Sequence, residues 1–228
     1  RPGDRVEAAR VISALGFAPL PEAKSISREL VLTRNGMDVD LHWDLLREGR
    51  LRNHLVGEIL GSRRQVGDVW VPSPDHMLFI LLVHPAFAKH LAGWDMGLHR
   101  VADLLIFLRT QDFDTTSVLR LLRDNGVSAA AWATLRWTHM LAEPHVPNSL
   151  LALLAELEPP RWKRTWLDAW LRHDLSDRFS AWRWMRLLGF SWLLHDTPGD
   201  ALRAFRGQRR AARRSGEDLA VFSDLLGE

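Results

Sequence analysis

The sequence predicts an α+β protein that is predominantly helical, in which a small β-sheet precedes a large helical bundle. Two observations support this prediction. Alternating apolar and polar residues flank Asn35-Gly36, a pair typical of a tight hairpin turn because both residues tolerate positive φ. From Pro74 onward, apolar residues recur at helical spacing, with short breaks between the segments. We therefore expect two domains, residues 1–72 and residues 73–228.

The hairpin places acidic side chains together. Arg28 to Thr33 is one predicted strand, and Met37 to Trp43 is the other. In the second strand, alternation puts Asp38, Asp40 and His42 on one face. Carboxylates two positions apart on a strand have Cα atoms about 7 Å apart and can converge on a divalent metal such as Mg²⁺ or Mn²⁺. A solvated hairpin face would show the same pattern, so the spacing alone leaves both interpretations open.

Composition and charge are those of an ordinary globular chain. The 228 residues are 46% hydrophobic and 25% charged, with a formal net charge of +2. Cysteine is absent, which excludes disulfides and thiolate zinc sites. The longest apolar run, Met77 to Val83, is far short of the roughly 20 residues that span a bilayer. Because no signal peptide is evident either, we expect a soluble, cytoplasmic protein with no membrane partner.

The second domain reads as a series of helices. Ser73 is a predicted N-cap, and Pro74 fits the first helical position, where its missing N–H costs nothing. Short connections favour a compact bundle over a solenoid. The predicted helices cover residues 76–91, 99–109, 115–125, 128–142, 148–157, 160–173, 180–195, 198–214 and 217–226.

Several stretches together resemble a family of uncharacterised bacterial nucleotidyltransferases. Asp38-Val39-Asp40-Leu41-His42-Trp43, preceded by Asn35-Gly36, is similar to the family's Val-Asp/Glu-Leu-His-Trp stretch. The similarity covers residues 1 to 148, and the order and spacing of the motifs carry it. A helical block of the family is matched by Pro74-Asp75-His76-Met77-Leu78, His84, Lys89-His90 and Leu98-His99-Arg100-Val101-Ala102-Asp103-Leu104.

This resemblance implies a small mixed sheet with flanking helices, followed by a helical bundle. It also implies a nucleotide-binding transferase that uses Mg²⁺ or Mn²⁺ to transfer a nucleotidyl group from a nucleoside triphosphate such as ATP. Asp40 matches the family's third carboxylate, because it lies two residues before the His of the His-Trp pair. We therefore expect Asp40 and then Asp38 to be metal ligands and catalytic residues, with His42 assisting.

The helical block supplies a second set of candidates for nucleotide or substrate binding. Lys89 and Arg100 could neutralise the charge of a triphosphate. His84 or His90 could orient a substrate or act as a base near neutral pH. These residues could instead have purely structural roles. His84 would then be a buried core residue, and Arg100 would form an ion pair with Asp103.

In the family, a first carboxylate pair follows a Gly-Ser turn, and residues 1–17 resemble the segment after that pair. The pair therefore either lies upstream of Arg1 or does not exist, so enzymatic activity stays open. With it, the acceptor of the nucleotidyl group would be a small molecule, a peptide or a protein side chain. Without it, the chain would be a non-catalytic binding or scaffold module with a degenerate core.

The carboxy-terminal part suggests a third and weaker function. A run of arginines could bind the phosphates of a nucleic acid, but the small net charge favours a solvated helix face. We therefore do not expect a nucleic-acid partner. Trp162, Trp166 and Trp170 recur every four residues, which predicts a packing stripe. The arginines of the run are Arg203, Arg206, Arg209, Arg210, Arg213 and Arg214.

Overall fold

The computed structural model describes residues 2–20 and 29–220, and this part of the chain is α+β and predominantly helical, as predicted. The strands are β1 (Ala18–Pro19), β2 (Glu29–Arg34), β3 (Met37–His42), β4 (Arg64–Val66) and β5 (Val69–Val71). A short 3-10 helix, Pro2–Asp4, precedes the first α-helix. The helices are α1 (Arg5–Ala14), α2 (Val56–Gly61), α3 (Pro74–Ala88), α4 (Gly93–Thr110), α5 (Thr115–Asp124), α6 (Ser128–Ala142), α7 (Asn148–Glu156), α8 (Arg161–Arg172), α9 (Leu175–Arg178), α10 (Arg183–Arg186) and α11 (Pro198–Ala220).

The described residues fall into two compact units. The sheet unit lies within Arg1–Arg50, His54–Gly61 and Arg203–Glu228, and the helical unit within Leu51–Asn53 and Ser62–Leu202. A domain boundary after residue 72 stays a prediction. No helix in the described residues combines the length and the hydrophobicity needed to cross a lipid bilayer.

The sheet unit contains an antiparallel sheet of order β1-β2-β3. Asn35 and Gly36 have φ of 51° and 78°, which confirms the predicted turn. Leu30 and Leu32 project from β2 into a core that also holds Ala9 of α1. The resemblance implied a mixed sheet, but the described strands of both sheets pair only antiparallel.

A second hairpin, β4-β5, begins the helical unit. Val66 and Val71 belong to different strands of this hairpin. Gly67, with φ of 59°, reverses the chain, so that Val66 pairs with Val69 instead of continuing one strand. Gly supplies this backbone conformation at little steric cost.

The bundle is organised around α3 and α6, which pack against each other. α3 also contacts α4 and α5, and α6 contacts α7 and α8. The Ser73 side chain accepts a hydrogen bond from the His76 backbone N–H at 3.5 Å, and Pro74 opens the helix, as the sequence predicted. Because α3 is apolar on nearly every side, it is the central helix of this unit.

Residues 180–195 do not form the single helix that was predicted. α10 is only one turn long, and a π-helix, Leu187–Ser191, follows it. A Cβ at Gly189 would lie 2.5 Å from Cζ3 of Trp170, so the indole packs directly on the backbone here. A π-helical turn contains one more residue than an α-helical turn, and this local widening accommodates the close contact with the indole. α11 is longer than predicted and includes Glu217, while residues 221–226 of the last predicted helix lie outside the described residues.

Candidate functional site

The side chains predicted to carry chemistry on β3 lie along its exposed side. Asp38, Asp40 and His42 are exposed, whereas Val39 and Leu41 between them are half-buried. Leu41 packs against the core of the sheet unit. Burial of the alternate positions therefore fixes the strand and holds two carboxylates and an imidazole at the surface.

The neighbouring strand β2 adds a third carboxylate to this face. Glu29 is paired with His42 in the hairpin register, and its Oε2 lies 3.5 Å from Nε2 of the His42 ring. Thr33 and Val31 stand opposite Asp38 and Asp40. Glu29 was not among the predicted site residues, although the Asn-Gly turn sets the hairpin register and so predicts which residue faces His42.

The donor set suits a metal only in part. Asp38 and Asp40 offer the hard oxygen ligands that Mg²⁺ and Mn²⁺ prefer. In the described ranges, however, no group of three or more His, Asp or Glu side chains gathers closely enough to hold a metal ion. Mg²⁺ commonly takes one or two carboxylates and completes its shell with water and substrate phosphates. The β3 face therefore fits one such ion shared with a phosphate, and a two-metal centre needs further carboxylates.

The second predicted set lies in the helical unit, around the end of α3. His84 is half-buried within α3, and Lys89 is the C-cap residue of that helix. His90 follows with φ of 54°, and its backbone carbonyl accepts a hydrogen bond from Ser176 Oγ at 2.6 Å. Its ring Nδ1 lies 3.2 Å from Ser191 Oγ. These contacts give His90 a clear structural role, because they join the end of α3 to α9 and the π-helix.

Arg100 and Asp103 lie on α4, where Arg100 is half-buried and Asp103 is exposed. In the described part of the chain, the side chains of Arg100 and Asp103 form no ion pair with each other. An ion pair between them therefore does not account for these two residues. The candidate residues of the hairpin belong to the sheet unit, and those of α3 and α4 belong to the helical unit.

The tryptophan stripe of α8 divides into a buried and an exposed part. Trp170 is 2% exposed and stacks on Phe190 with ring centroids 5.6 Å apart, so its packing role is confirmed. Trp166 and Trp162 are 50% and 64% exposed, so the stripe is not a continuous core feature. In the arginine run, Arg210 is exposed and its Nε lies 3.3 Å from Glu48 Oε1.

Comparison of the chain with known proteins gave a match to one family. A search of curated proteins and a search of solved structures each found no match. Residues 1–143, in contrast, match the model of a family described as "Uncharacterised nucleotidyltransferase". The matched region contains the whole β2-β3 hairpin and extends through α6, well over half of the chain. The chain therefore belongs to this family of uncharacterised nucleotidyltransferases.

Proposed function

We propose that the chain transfers a nucleotidyl group from a nucleoside triphosphate to an acceptor, with Mg²⁺ or Mn²⁺ held at Asp40 and Asp38. The observation that carries this proposal is the exposed carboxylate face of β3 in a member of a nucleotidyltransferase family. Asp40 is the first ligand by its match to the family motif, and Asp38 is the second.

In this reaction, an oxygen or nitrogen of the acceptor attacks the α-phosphorus of the nucleotide and releases its proton to solvent. The bond from that phosphorus to the bridging oxygen breaks, and pyrophosphate leaves. When bound, a divalent ion would neutralise charge at the phosphate oxygens. The carboxylates of Asp38 and Asp40 would hold that ion, and Glu29 contacts the ring of His42 on the same face of the hairpin.

Within the helical unit, we propose Lys89 and Arg100 as contacts for a nucleotide phosphate or for the acceptor. Both are half-buried cations close to the α3–α4 connection. His84 and Asp103 are further candidates for binding the acceptor. His90 is the least favoured candidate for binding, because its backbone carbonyl already contacts Ser176 and its ring already contacts Ser191.

The proposal is tested by incubating the full-length protein with each of the four α-³²P-labelled nucleoside triphosphates and Mg²⁺ or Mn²⁺. Label on the protein itself would indicate a side-chain acceptor, and label on a small product would indicate a small molecule or peptide. We expect the wild type to transfer the nucleotidyl group, and we expect the transfer rate of Asp40→Asn to be lower by more than about 100-fold. Mutation of groups that only hydrogen-bond to a metal ligand already lowers metal affinity or activity by about 10–100-fold.

Asp68→Asn is the matched control, because Asp68 is an exposed aspartate in the turn of the other hairpin. It should leave transfer unchanged. Equal loss in both variants, or no transfer with any nucleotide and metal, would reject the proposed site. Tight nucleotide binding without transfer would instead support the binding-module alternative.

A further inference from the structure

A charged groove lies in the helical unit between α6, the end of α7 and α8. Its volume is about 670 Å³, which is in the usual range for sites that bind small molecules. Most of its lining comes from residues after 143, beyond the part of the chain that matches the nucleotidyltransferase family. We call it the α8 groove, and no residue of the β3 face lines it.

Two of the groove's arginines are held by one carboxylate. Asp168 Oδ1 accepts a hydrogen bond from Arg136 Nε at 2.6 Å. Asp168 Oδ2 accepts one from Arg172 Nε at 3.0 Å. Arg136 and Asp168 are each 23% exposed, and Arg136 Nη1 lies 3.2 Å from His139 Nδ1. Asp168 therefore restricts the orientation of both guanidinium groups before any ligand arrives, which lowers the entropic cost of binding, and the Arg172 side chain stays 58% exposed.

The ionised state of Asp168 maintains this arrangement. Burial alone would raise the pKa of this carboxyl, but its hydrogen bonds and charge interactions with Arg136 and Arg172 outweigh burial and lower the pKa. Asp168 is therefore negatively charged at neutral pH and keeps both arginines in place. A third arginine of the groove, Arg164, forms an ion pair with Glu158.

The α8 groove retains hydrogen-bond donors and positive charge for a ligand. A guanidinium carries five N–H donors, and Arg172 uses its Nε and Nη2 on Asp168, so Nη1 is not engaged by that carboxylate. Three arginines face two carboxylates in the groove, which leaves one net positive charge, and His173 also lines the wall. The remainder of the lining includes apolar groups, among them Trp132 and Leu154.

We propose that the α8 groove binds a small organic phosphate, with the phosphate on Arg172 and Arg164 and the organic part against the apolar lining. Phosphate is favoured over a carboxylate because three arginines line the same groove, and a phosphate offers three oxygens and up to two charges. The volume is larger than a bare phosphate needs, which is why the ligand is an organic phosphate.

Titration calorimetry tests this with the whole protein in EDTA, so that no metal-dependent nucleotide site contributes. The probes are glycerol phosphate and AMP, with inorganic phosphate and succinate for comparison. We expect both organic phosphates to bind more tightly than inorganic phosphate, and succinate to bind most weakly. Arg172→Gln should weaken the organic phosphates by about tenfold or more, the usual value of a charge-assisted hydrogen bond. Arg164→Gln should act in the same direction.

Arg161→Gln is the matched control, because Arg161 is an exposed arginine of the same helix that does not line the groove. It should leave binding unchanged. Binding that falls equally in Arg161→Gln and Arg172→Gln would show non-specific attraction and overturn the proposal. Succinate binding as tightly as glycerol phosphate would overturn the ligand class. The absence of binding by the wild type, with far-UV circular dichroism showing a folded protein, would overturn the site.

The two proposals fail separately. Asp40→Asn should retain the binding of glycerol phosphate in EDTA, whatever its effect on nucleotidyl transfer. Loss of that binding in Asp40→Asn would place the phosphate at the β3 face and reject the α8 groove. Loss of transfer with retained binding would support both proposals.

Discussion

Arg52 donates two hydrogen bonds to Asp200, from Nε to Oδ1 at 2.8 Å and from Nη2 to Oδ2 at 2.6 Å. Asp200 is 3% exposed and also accepts a hydrogen bond from Thr197 Oγ1 at 2.7 Å. The hydrogen bond to Asp200 is the main reason that the pKa of Arg52 is raised. The pair joins the loop before α2 to the first turn of α11, across 148 residues of sequence, within the helical unit.

Asp200→Asn should therefore destabilise the protein. The variant removes the charged acceptor of two hydrogen bonds from Arg52, and because Asp200 is 3% exposed while Arg52 is 35% exposed, the loss should be about 1–3 kcal/mol. Urea unfolding at pH 7, followed by circular dichroism, measures the free energy of unfolding. Glu7→Gln is the control, because the Glu7–Arg10 pair is exposed, with 3.7 Å between its charged atoms. It should cost less than about 0.5 kcal/mol. Similar costs for both variants would contradict a special role for the Arg52–Asp200 pair.

Gly126 lies directly against this ion pair. A Cβ at this position would be 2.8 Å from Arg52 Nε and 2.8 Å from Asp200 Oδ2, and the backbone φ is +68°. Gly126→Ala should cost about 2–4 kcal/mol, the sum of a left-handed backbone penalty and a steric clash. Gly36→Ala isolates the backbone part, because Gly36 has φ of +78° and open space around its Cβ position. It should cost about 1 kcal/mol. If thermal or urea unfolding gives the same loss of unfolding free energy for Gly126→Ala and Gly36→Ala, the Arg52–Asp200 pair moves away from the added methyl group at no cost.

Trp170 and Trp162 lie on one helix and should respond differently to truncation. Trp170 Nε1 donates to Ser176 Oγ at 2.8 Å, and the ring stacks on Phe190 in the core. Trp170→Ala should lower the free energy of unfolding by about 3–5 kcal/mol through lost burial and an unfilled cavity. Trp162→Ala, at an exposed position, should change it by less than about 0.5 kcal/mol. A large effect of Trp162→Ala on urea unfolding would mean that this indole is covered in solution.

The parts of the fold that were predicted correctly depend on local sequence. The Asn35-Gly36 turn and the alternation after it were sufficient to place Asp38 and Asp40 on one exposed face. Ser73 with Pro74 was sufficient to place the start of α3. In each case the determining residues are neighbours in the chain, so one sequence contains the necessary information.

The parts that were missed depend on contacts between distant residues. The π-helix follows from the packing of Gly189 on Trp170, which helical periodicity in residues 180–195 does not reveal. The Arg52–Asp200 pair joins segments whose proximity is decided by tertiary packing. The α8 groove is assembled from three helices, and its arginines have no common motif in the sequence. Glu29 is the exception, because hairpin register alone predicts its position beside His42.

The contribution of Asp168 to stability should depend on pH. Its pKa in the folded protein lies below the ordinary value of 3.8, so ionisation stabilises the fold above that pH. This contribution is fully present at neutral pH and is lost as the pH falls from about 3.8 through the lower folded pKa. At pH 7, Asp168→Asn should cost about 1–3 kcal/mol, because Arg136 and Arg172 lose a charged acceptor.

Urea unfolding of the wild type and of Asp168→Asn at pH 7, 5 and 3 checks this dependence. The difference between the two proteins should be constant from pH 7 to 5 and should shrink at pH 3. Asp68→Asn, in the exposed turn between β4 and β5, serves as the control and should show no such trend. A difference for Asp168→Asn that persists unchanged at pH 3 would mean that its cost comes from shape or packing, and the carboxylate would then not be what holds the arginines of the α8 groove.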